Sequence, residues 1–517
     1  MLTNRLVTRG FLPKELPPLF SSATLGRVVG RPNLPPFFTK EKAEGTSPVQ
    51  HDLARPGGLR RRLHIPNPIS FFRLASVFDD NQRVLAAEWS KSPFSRTTPV
   101  LGLGSGRGMV VDVRDRATPR AFARVGARYV LHTDIAQFYP SVYTHSVPWV
   151  LHTKEVAKAR KNDMKLVGNV LDQELRACQD GQTKGIAIGP DTSLGVAELL
   201  LSQFDAKVKD KCNVVGGCRF IDDIELTFKR YSDAEEALTV IETLLHDLEL
   251  QPNALKTEIR DLPVGIESRF ASYLRSNLPI RADAPKSQWI DYFNCAFEFA
   301  RADRAAGSLR YAVAALSGVR PSDGCWDLAQ RLVWQCVSVD PGCIRYAVDF
   351  IAANRLLEGK LPDPAIAAAA VDSGIQSSAA VGNANEVVWA IWAAMYVGFP
   401  IGQKSQDAIA EMDDDLVASI AMFAGEMRVV FSQPFVSRRW RSWLQQDCFF
   451  SEHWLFAYEA YRRDWFPVEV SASQIAKDRH AEFLRSIDVT FLVENACTEY
   501  VPKAASIGGG GFSGGFY

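Results

Sequence analysis

The stretch CRFIDDIELTF, residues 218–228, sets two carboxylates side by side in an otherwise β-forming run. Apolar, β-branched and aromatic residues on both sides predict two strands around a tight turn. A turn presenting Asp222 and Asp223 together is disfavoured by their repulsion unless a divalent cation sits against them. A third carboxylate must then arrive from elsewhere, and Asp134 is the obvious donor, because in RYVLHTDI (128–135) a β-like apolar run gives out into polar residues there. Asp134, Asp222 and Asp223 on neighbouring strand ends are the set that would hold two Mg²⁺ ions, or Mn²⁺ in their place, about 3.5–4 Å apart. Such a pair would activate a primer hydroxyl and stabilise a leaving pyrophosphate, chemistry in which positioning and electrostatics carry most of the catalysis. Taken singly, each Asp reads as a turn or cap residue.

Composition sets the frame. With 517 residues, 47% hydrophobic and 23% charged, the chain is long enough for two or three domains with real cores. The nine cysteines are odd in number and never form C-x-x-C, which argues for reduced thiols rather than a disulfide frame or a zinc site. The N-terminus lacks the apolar stretch of a secretory signal. The run VVWAIWAAMYVGF (387–399) is too short to span a bilayer and predicts a buried helix. The expectation is a cytoplasmic protein with no membrane partner. Net charge is zero but segregated: residues 1–130 hold 21 Lys and Arg against 9 Asp and Glu, and the remainder holds 38 against 50. A basic front segment suits a polyanion, or is a solvated basic face.

Organisation follows from pattern. Residues 1–60 are Pro-rich and without period, predicting an extended wrap. Residues 61–275 alternate β-like runs with helical ones, among them helices over 193–208 and 235–250, which gives an α+β class. Beyond RSNLPIRADAPKSQ (275–288) β signals nearly vanish and helical spacing takes over, predicting an all-α region at 285–505, an α-solenoid or bundle of HEAT-like pairs. Its tryptophans, Trp289, Trp326, Trp334, Trp389 and Trp392, read as core rather than as base-stacking platforms. The glycine-rich stretch at 506–517 reads as a flexible tail.

At the motif level a resemblance becomes specific. DIAQFYPS (134–141) resembles motif A of reverse transcriptases, GIAIGPDTS (185–193) motif B, FIDD (220–223) motif C and LELQPNALKTEI (248–259) motif D, while RRLHIPNP (61–68) resembles the fingers segment that meets the incoming triphosphate. With RGFLPKELPP and NANEVVWAIW, the chain is similar to the abortive-infection and defence-associated reverse transcriptases of bacteria, of the AbiA and AbiK type. That likeness implies a right-hand polymerase fold of fingers and palm followed by an α-helical repeat domain, a role in anti-phage defence, dNTP substrates, a DNA product and a homo-oligomer. It also implies synthesis primed from a protein hydroxyl and, in some members, without a template. The alternatives are an RNA-templated reverse transcriptase with a noncoding RNA partner, and a non-catalytic scaffold for nucleic acid.

The same resemblance assigns roles. Asp134 and Asp222 would be the principal metal ligands, completed by the Ile135 carbonyl, with Asp223 as the second carboxylate of the turn. Tyr139 would lie under the sugar and exclude a 2′-hydroxyl. Arg61, Arg62 and Arg73 would clamp the triphosphate, or belong to a generic basic surface. Lys256 would face the pyrophosphate. Gly185 and Gly189 would let backbone approach the nucleotide. Arg120, Arg124 and Arg128 recur every fourth residue, as a phosphate-facing stripe or a solvated face. Tyr517 is the candidate priming hydroxyl. Ile188 stands where templated enzymes usually carry glutamine, and an apolar side chain cannot make that hydrogen bond, which speaks against conventional templated copying.

Overall fold

The computed structural model describes residues 1–39, 45–100, 107–109, 115–281, 283–428, 430–431, 435 and 437–502; the tail with Tyr517 lies outside them. Two antiparallel strands, β1 (Val49–Ala54) and β2 (Arg60–Ile65), form a hairpin running from the Val49↔Ile65 pair to Ala54↔Arg60. Because alternate residues face opposite ways, Arg61 and Arg62 point to different sides of that ribbon. A helix follows at Pro68–Asp80, started by Pro at its first position and by Asn67, whose side chain accepts the Ile69 N–H.

The second sheet has four antiparallel strands in the order β4 (Gly216–Phe220), β5 (Asp223–Phe228), β3 (Tyr129–Asp134), β6 (Glu258–Asp261). One face is apolar: Leu131, Ile224, Leu226 and Phe228 are buried in the core, on the side of the Tyr231–Asp247 helix. The other face of β5 is polar yet equally buried, with Asp223, Glu225 and Thr227 at 5%, 4% and 0% exposure beneath the short helix Ala117–Ala123. The predicted strands and helices of this region fall within a few residues of the observed ones.

From Lys286 the chain is helical. The helices Ser308–Ala315 through Asp415–Glu426 run from 8 to 17 residues, and each packs on helices next to it or one further along the chain, without a fixed repeat length. The apolar run at 387–399 is a helix, Ala384–Val397, buried along its whole length. Among the described residues no helix is long and apolar enough to cross a membrane. Trp289, Trp334, Trp389 and Trp392 are core residues, as their composition predicts, and Trp326 is half-buried.

Residues 1–60 depart from a uniform extended wrap. Leu2–Arg9 is a helix, because Leu2, Leu6 and Val7 recur on one face and are buried, and β1 belongs to the hairpin. The intervening segment does cross the molecule: Phe20 bridges to Leu492, the Thr24 hydroxyl donates to the Thr490 carbonyl, and Phe11 packs between Phe71 and Trp454. The helical region is bonded to the hairpin as well. Arg60 holds Glu386 in a bidentate pair, His51 meets Asp414 at 2.9 Å, and the Trp454 indole donates to the Ile65 carbonyl.

Candidate active site

Two strand ends and one turn build the site. In the β3–β5 ladder Asp134 lies directly opposite Asp223, and the Ile135 N–H donates to the Asp222 carbonyl at 3.2 Å, so residues nearly ninety apart along the chain share one end of the sheet. Beyond β3, Ile135 bridges to Pro252, with Ala136 N–H bonded to the Gln251 carbonyl and Asn253 N–H to the Asp134 carbonyl. In this pairing the Ile135 main chain points away from Pro252 and towards the Asp222 turn.

The turn itself is strained. Ile221, immediately before Asp222, has φ of 60°, a left-handed conformation that a β-branched residue adopts only when its surroundings impose it. Here they do: the Thr97 hydroxyl accepts the Ile221 N–H at 3.0 Å, and Arg219 donates to the Ile221 carbonyl at 2.8 Å. Arg219 is fully buried and is held by Glu198 at 2.9 Å and Asp205 at 2.8 Å from the Asp191–Lys211 helix. Burial acts to lower its pKa, but the two carboxylates raise it further, so the guanidinium is charged at every relevant pH.

Asp222 and Asp134 are close enough to feel each other. Burial first, and the Asp134 charge second, push the Asp222 carboxyl up to about 6, with Arg61 opposing. Asp134 is held at one oxygen by Lys256 Nζ (2.9 Å) and at the other by the Asn253 amide (3.3 Å). Tyr139 lies in the same neighbourhood: burial chiefly, then the Asp222 charge, raise its hydroxyl pKa, again with Arg61 opposing. Asp134, Asp222, Tyr139, Lys256, Arg61 and the Ile135 main chain therefore come together.

Asp223 does not present free oxygens to that group. His132 meets Oδ1 at 2.6 Å, while Arg116 and Arg120 meet Oδ2 at 3.1 and 2.9 Å. Burial pushes its carboxyl up, but the His132 hydrogen bond and the three nearby positive charges hold it below the usual carboxylate range, and the His132 imidazole is raised in return. The arginine stripe is accordingly turned inward: Arg120 pairs with Asp223, beside Arg116 from just before the helix, and Arg124 grips Glu225 at 2.8 and 3.0 Å, rather than facing phosphates or solvent. Arg128 lies past the helix end, its N–H bonded to the Phe228 carbonyl. Gly216 makes the docking possible, since a Cβ there would meet the Ala123 carbonyl oxygen at 2.5 Å.

Other expected contacts fall elsewhere. Arg73 is bidentate to buried Glu174, and Arg62 pairs with Asp52 and Gln50 on the exposed side of the hairpin, so neither joins Arg61. Gly189 (φ 136°) makes room for Pro13 of the N-terminal segment, its missing Cβ being 2.6 Å from the proline ring. Gly185 sits against the Pro140 backbone, and the Ile188 carbonyl accepts the His64 N–H of β2. Pro190 precedes the Asp191–Lys211 helix as its N-cap.

Oxygen donors of the Asp134, Asp222 and Ile135 kind suit Mg²⁺ or Mn²⁺. Beyond burial, the Asp134 charge raises Asp222, and that repulsion is what a divalent cation would relieve, so these residues fit the ion, whereas Asp223 is committed to its cations. Among the described residues no three His, Cys, Asp or Glu side chains form a ready metal cage. Four residues here escaped the sequence reading: Arg219, Asn253, His132 and Arg116. A lone arginine inside a β-forming run was the available signal for Arg219.

No family model matches the chain. No curated protein matches it either. Among solved structures it is similar to apo telomerase from Candida tropicalis (12% identity, TM-score 0.33, covering 71% of this chain and 69% of that one). It is also similar to telomerase from Candida albicans in complex with the TWJ fragment of telomeric RNA (11%, TM-score 0.27, covering 70% and 68%). Likeness at those TM-scores carries no weight for function.

Proposed function

We propose that the chain is a reverse-transcriptase-like nucleotidyltransferase that adds deoxynucleotides to a hydroxyl primer at the Asp134–Asp222 end of the β3–β5 sheet. The observation that supports this best is the convergence of Asp134, Asp222, the Ile135 main chain and Lys256 on one strained, heavily buttressed turn. Asp134 and Asp222 would hold Mg²⁺, with the Ile135 carbonyl beside them. Bound there, the ion supplies charge neutralisation for phosphoryl transfer. Tyr139 forms the floor under the sugar and favours deoxynucleotides, Arg61 meets the triphosphate, and Lys256 exchanges its bond to Asp134 for one to the departing pyrophosphate. Asp223 works as a structural anion that fixes the turn from behind. The anti-phage role, the homo-oligomer, the HEAT-like nature of the helical region and priming from a protein hydroxyl follow from the sequence resemblance.

The test is incorporation of labelled dNTPs by the purified protein with Mg²⁺, with and without added primer and template. Product from wild type that is lost in Asp134→Asn and Asp222→Asn supports the reading. No product, or equal product from the two variants, leaves the scaffold reading in its place. Label that stays with the polypeptide after denaturation, and is released by protease, identifies protein priming.

A further inference from the structure

A basic cavity opens on the Arg61 side of the hairpin. Of about 430 Å³, it lies between the β1–β2 hairpin, the N-terminal segment at Lys14–Glu15 and the helical region. Five basic side chains line it, Lys14, Arg55, Arg61, Arg310 and Arg345, against a single carboxylate, Glu15. The larger cavity on the other side of the hairpin is the reverse, carrying Asp180, Asp413, Asp414, Asp415 and Glu452. Lys184 and two histidines, His64 and His453, are its basic lining, so of these two cavities the first suits a polyanion better.

The basic cleft is built rather than incidental. The Arg345 guanidinium donates to the Lys14 carbonyl at 3.1 Å and sits 5.9 Å from the centre of the Trp389 ring, whose indole donates to the Glu15 carbonyl at 3.0 Å. Arg310 is fixed by Asp340 and the Ala54 carbonyl. Asn385, only 6% exposed, lines the cleft with an amide Nδ2 that has no hydrogen-bond partner. A buried donor left unmade is costly, and a turn of the Asn385 side chain towards the cleft would let a ligand acceptor satisfy it. Arg61 lines this cleft from β2, and its charge is felt by Asp222 and Tyr139 of the candidate active site.

We infer that this cleft binds a nucleotide phosphate, that of a single strand passing between the active site and the helical region. Lys14 and Arg345 meet the phosphate, and Asn385 gives its orphaned amide to a phosphate or base oxygen. The volume is that of a small-ligand site and does not admit a duplex. The inference deepens the proposed function and rests on it for the continuity of the strand with the active site; binding itself is measured without catalysis.

The experiment uses the full chain carrying Asp222→Asn, in EDTA, with a fluorescein-labelled oligothymidylate read by anisotropy over a salt series, and dTTP as a separate ligand. Lys14→Gln with Arg345→Gln is expected to weaken oligonucleotide binding about tenfold and to flatten the log–log salt slope by about 0.7, as loss of one neutralised phosphate of a single strand requires. Asn385→Leu is expected to weaken binding about threefold without lowering the melting temperature, a combination that mere damage to the fold does not give. Loss of oligonucleotide binding assigns the phosphate to a strand; loss of dTTP binding alone assigns it to the free nucleotide and removes the strand. Wild-type affinity and slope for both ligands in all variants overturn the inference. A wild-type protein that binds here yet incorporates nothing with Mg²⁺ would sink the polymerase reading and leave the cleft standing.

Discussion

Asp222 and Asp223 are neighbours with opposite electrostatic lives, and that contrast is testable at single residues. Asp222, pushed up to about 6, keeps its proton in the folded chain at pH values where the unfolded chain has lost it. The folded state therefore binds more protons between about pH 4 and 6, and stability falls as pH rises through that window. Asp222→Asn removes the penalty and should raise the melting temperature in EDTA at pH 7.5, by up to about 3 kcal/mol in stability for a shift of about two units. Differential scanning calorimetry of both proteins checks it; unchanged or lower stability contradicts it. Asp223 has the opposite sign. Its carboxyl is held below the usual range, so its contribution is fully present above the unfolded pKa and is lost as pH falls through the folded one. Asp223→Asn leaves Arg116, Arg120 and His132 facing an uncharged amide, and should destabilise at pH 7.5 by about 3 kcal/mol, within the range for breaking a buried pair. The sequence shows two identical side chains here. What separates them, two arginines at the 117–123 helix a hundred residues upstream and a histidine on β3, becomes visible only when the chain is folded.

Elements were legible where their signal is local. The strands ending at Asp134 and starting at Asp223 follow from apolar and β-branched runs, and the helices over 193–208 and 235–250 from spacing, so the meeting of the two aspartates was within reach of sequence. The docking of the 117–123 helix was not. A stripe of arginines at every fourth position is equally compatible with solvent, phosphate or buried carboxylates, and the decision rests on Glu225, Asp223 and the side-chain-free surface at Gly216. Gly216→Val should push the helix off β5, since its Cβ alone would stand 2.5 Å from the Ala123 oxygen. The expected result is a loss of stability of about 1–3 kcal/mol and faster amide exchange across 117–125, read by mass spectrometry. The strut beneath the turn belongs to this scale too. Arg219→Met strands Glu198 and Asp205 in the core and frees the Ile221 carbonyl. It should cost about 3–5 kcal/mol. Any enzyme that survives should lose kcat more than it changes KM, because the turn is no longer held.

At the scale of the whole molecule the change of character near residue 280 reads as a domain boundary, and the contacts say something different about independence. The N-terminal segment reaches across to the C-terminal residues, with Ser21 N–H on the Phe491 carbonyl and Val493 N–H on that of Leu19. Phe11, Trp454 and Phe491 share one aromatic cluster. Asn67 donates to the Phe449 carbonyl, and Arg60 pairs with Glu386. Pattern along a sequence marks where secondary structure changes but carries no trace of such long-range bonds, which is why the two parts look separable when read in order. The basic front segment is thereby closed against the acidic remainder, with the cationic cleft at their seam. A protease site placed at the exposed Ile280–Arg281 step should therefore yield, after cutting, two polypeptides that stay together through size-exclusion chromatography at 150 mM salt and part only in denaturant. Residues 1–280 expressed alone should aggregate, because Phe11, Ile65 and Phe71 lose the aromatic surface that covers them. Two halves that separate cleanly after cleavage, each folded and soluble, would show that the seam is a loose contact, and a cleft built across it could not then keep its shape without a bound strand.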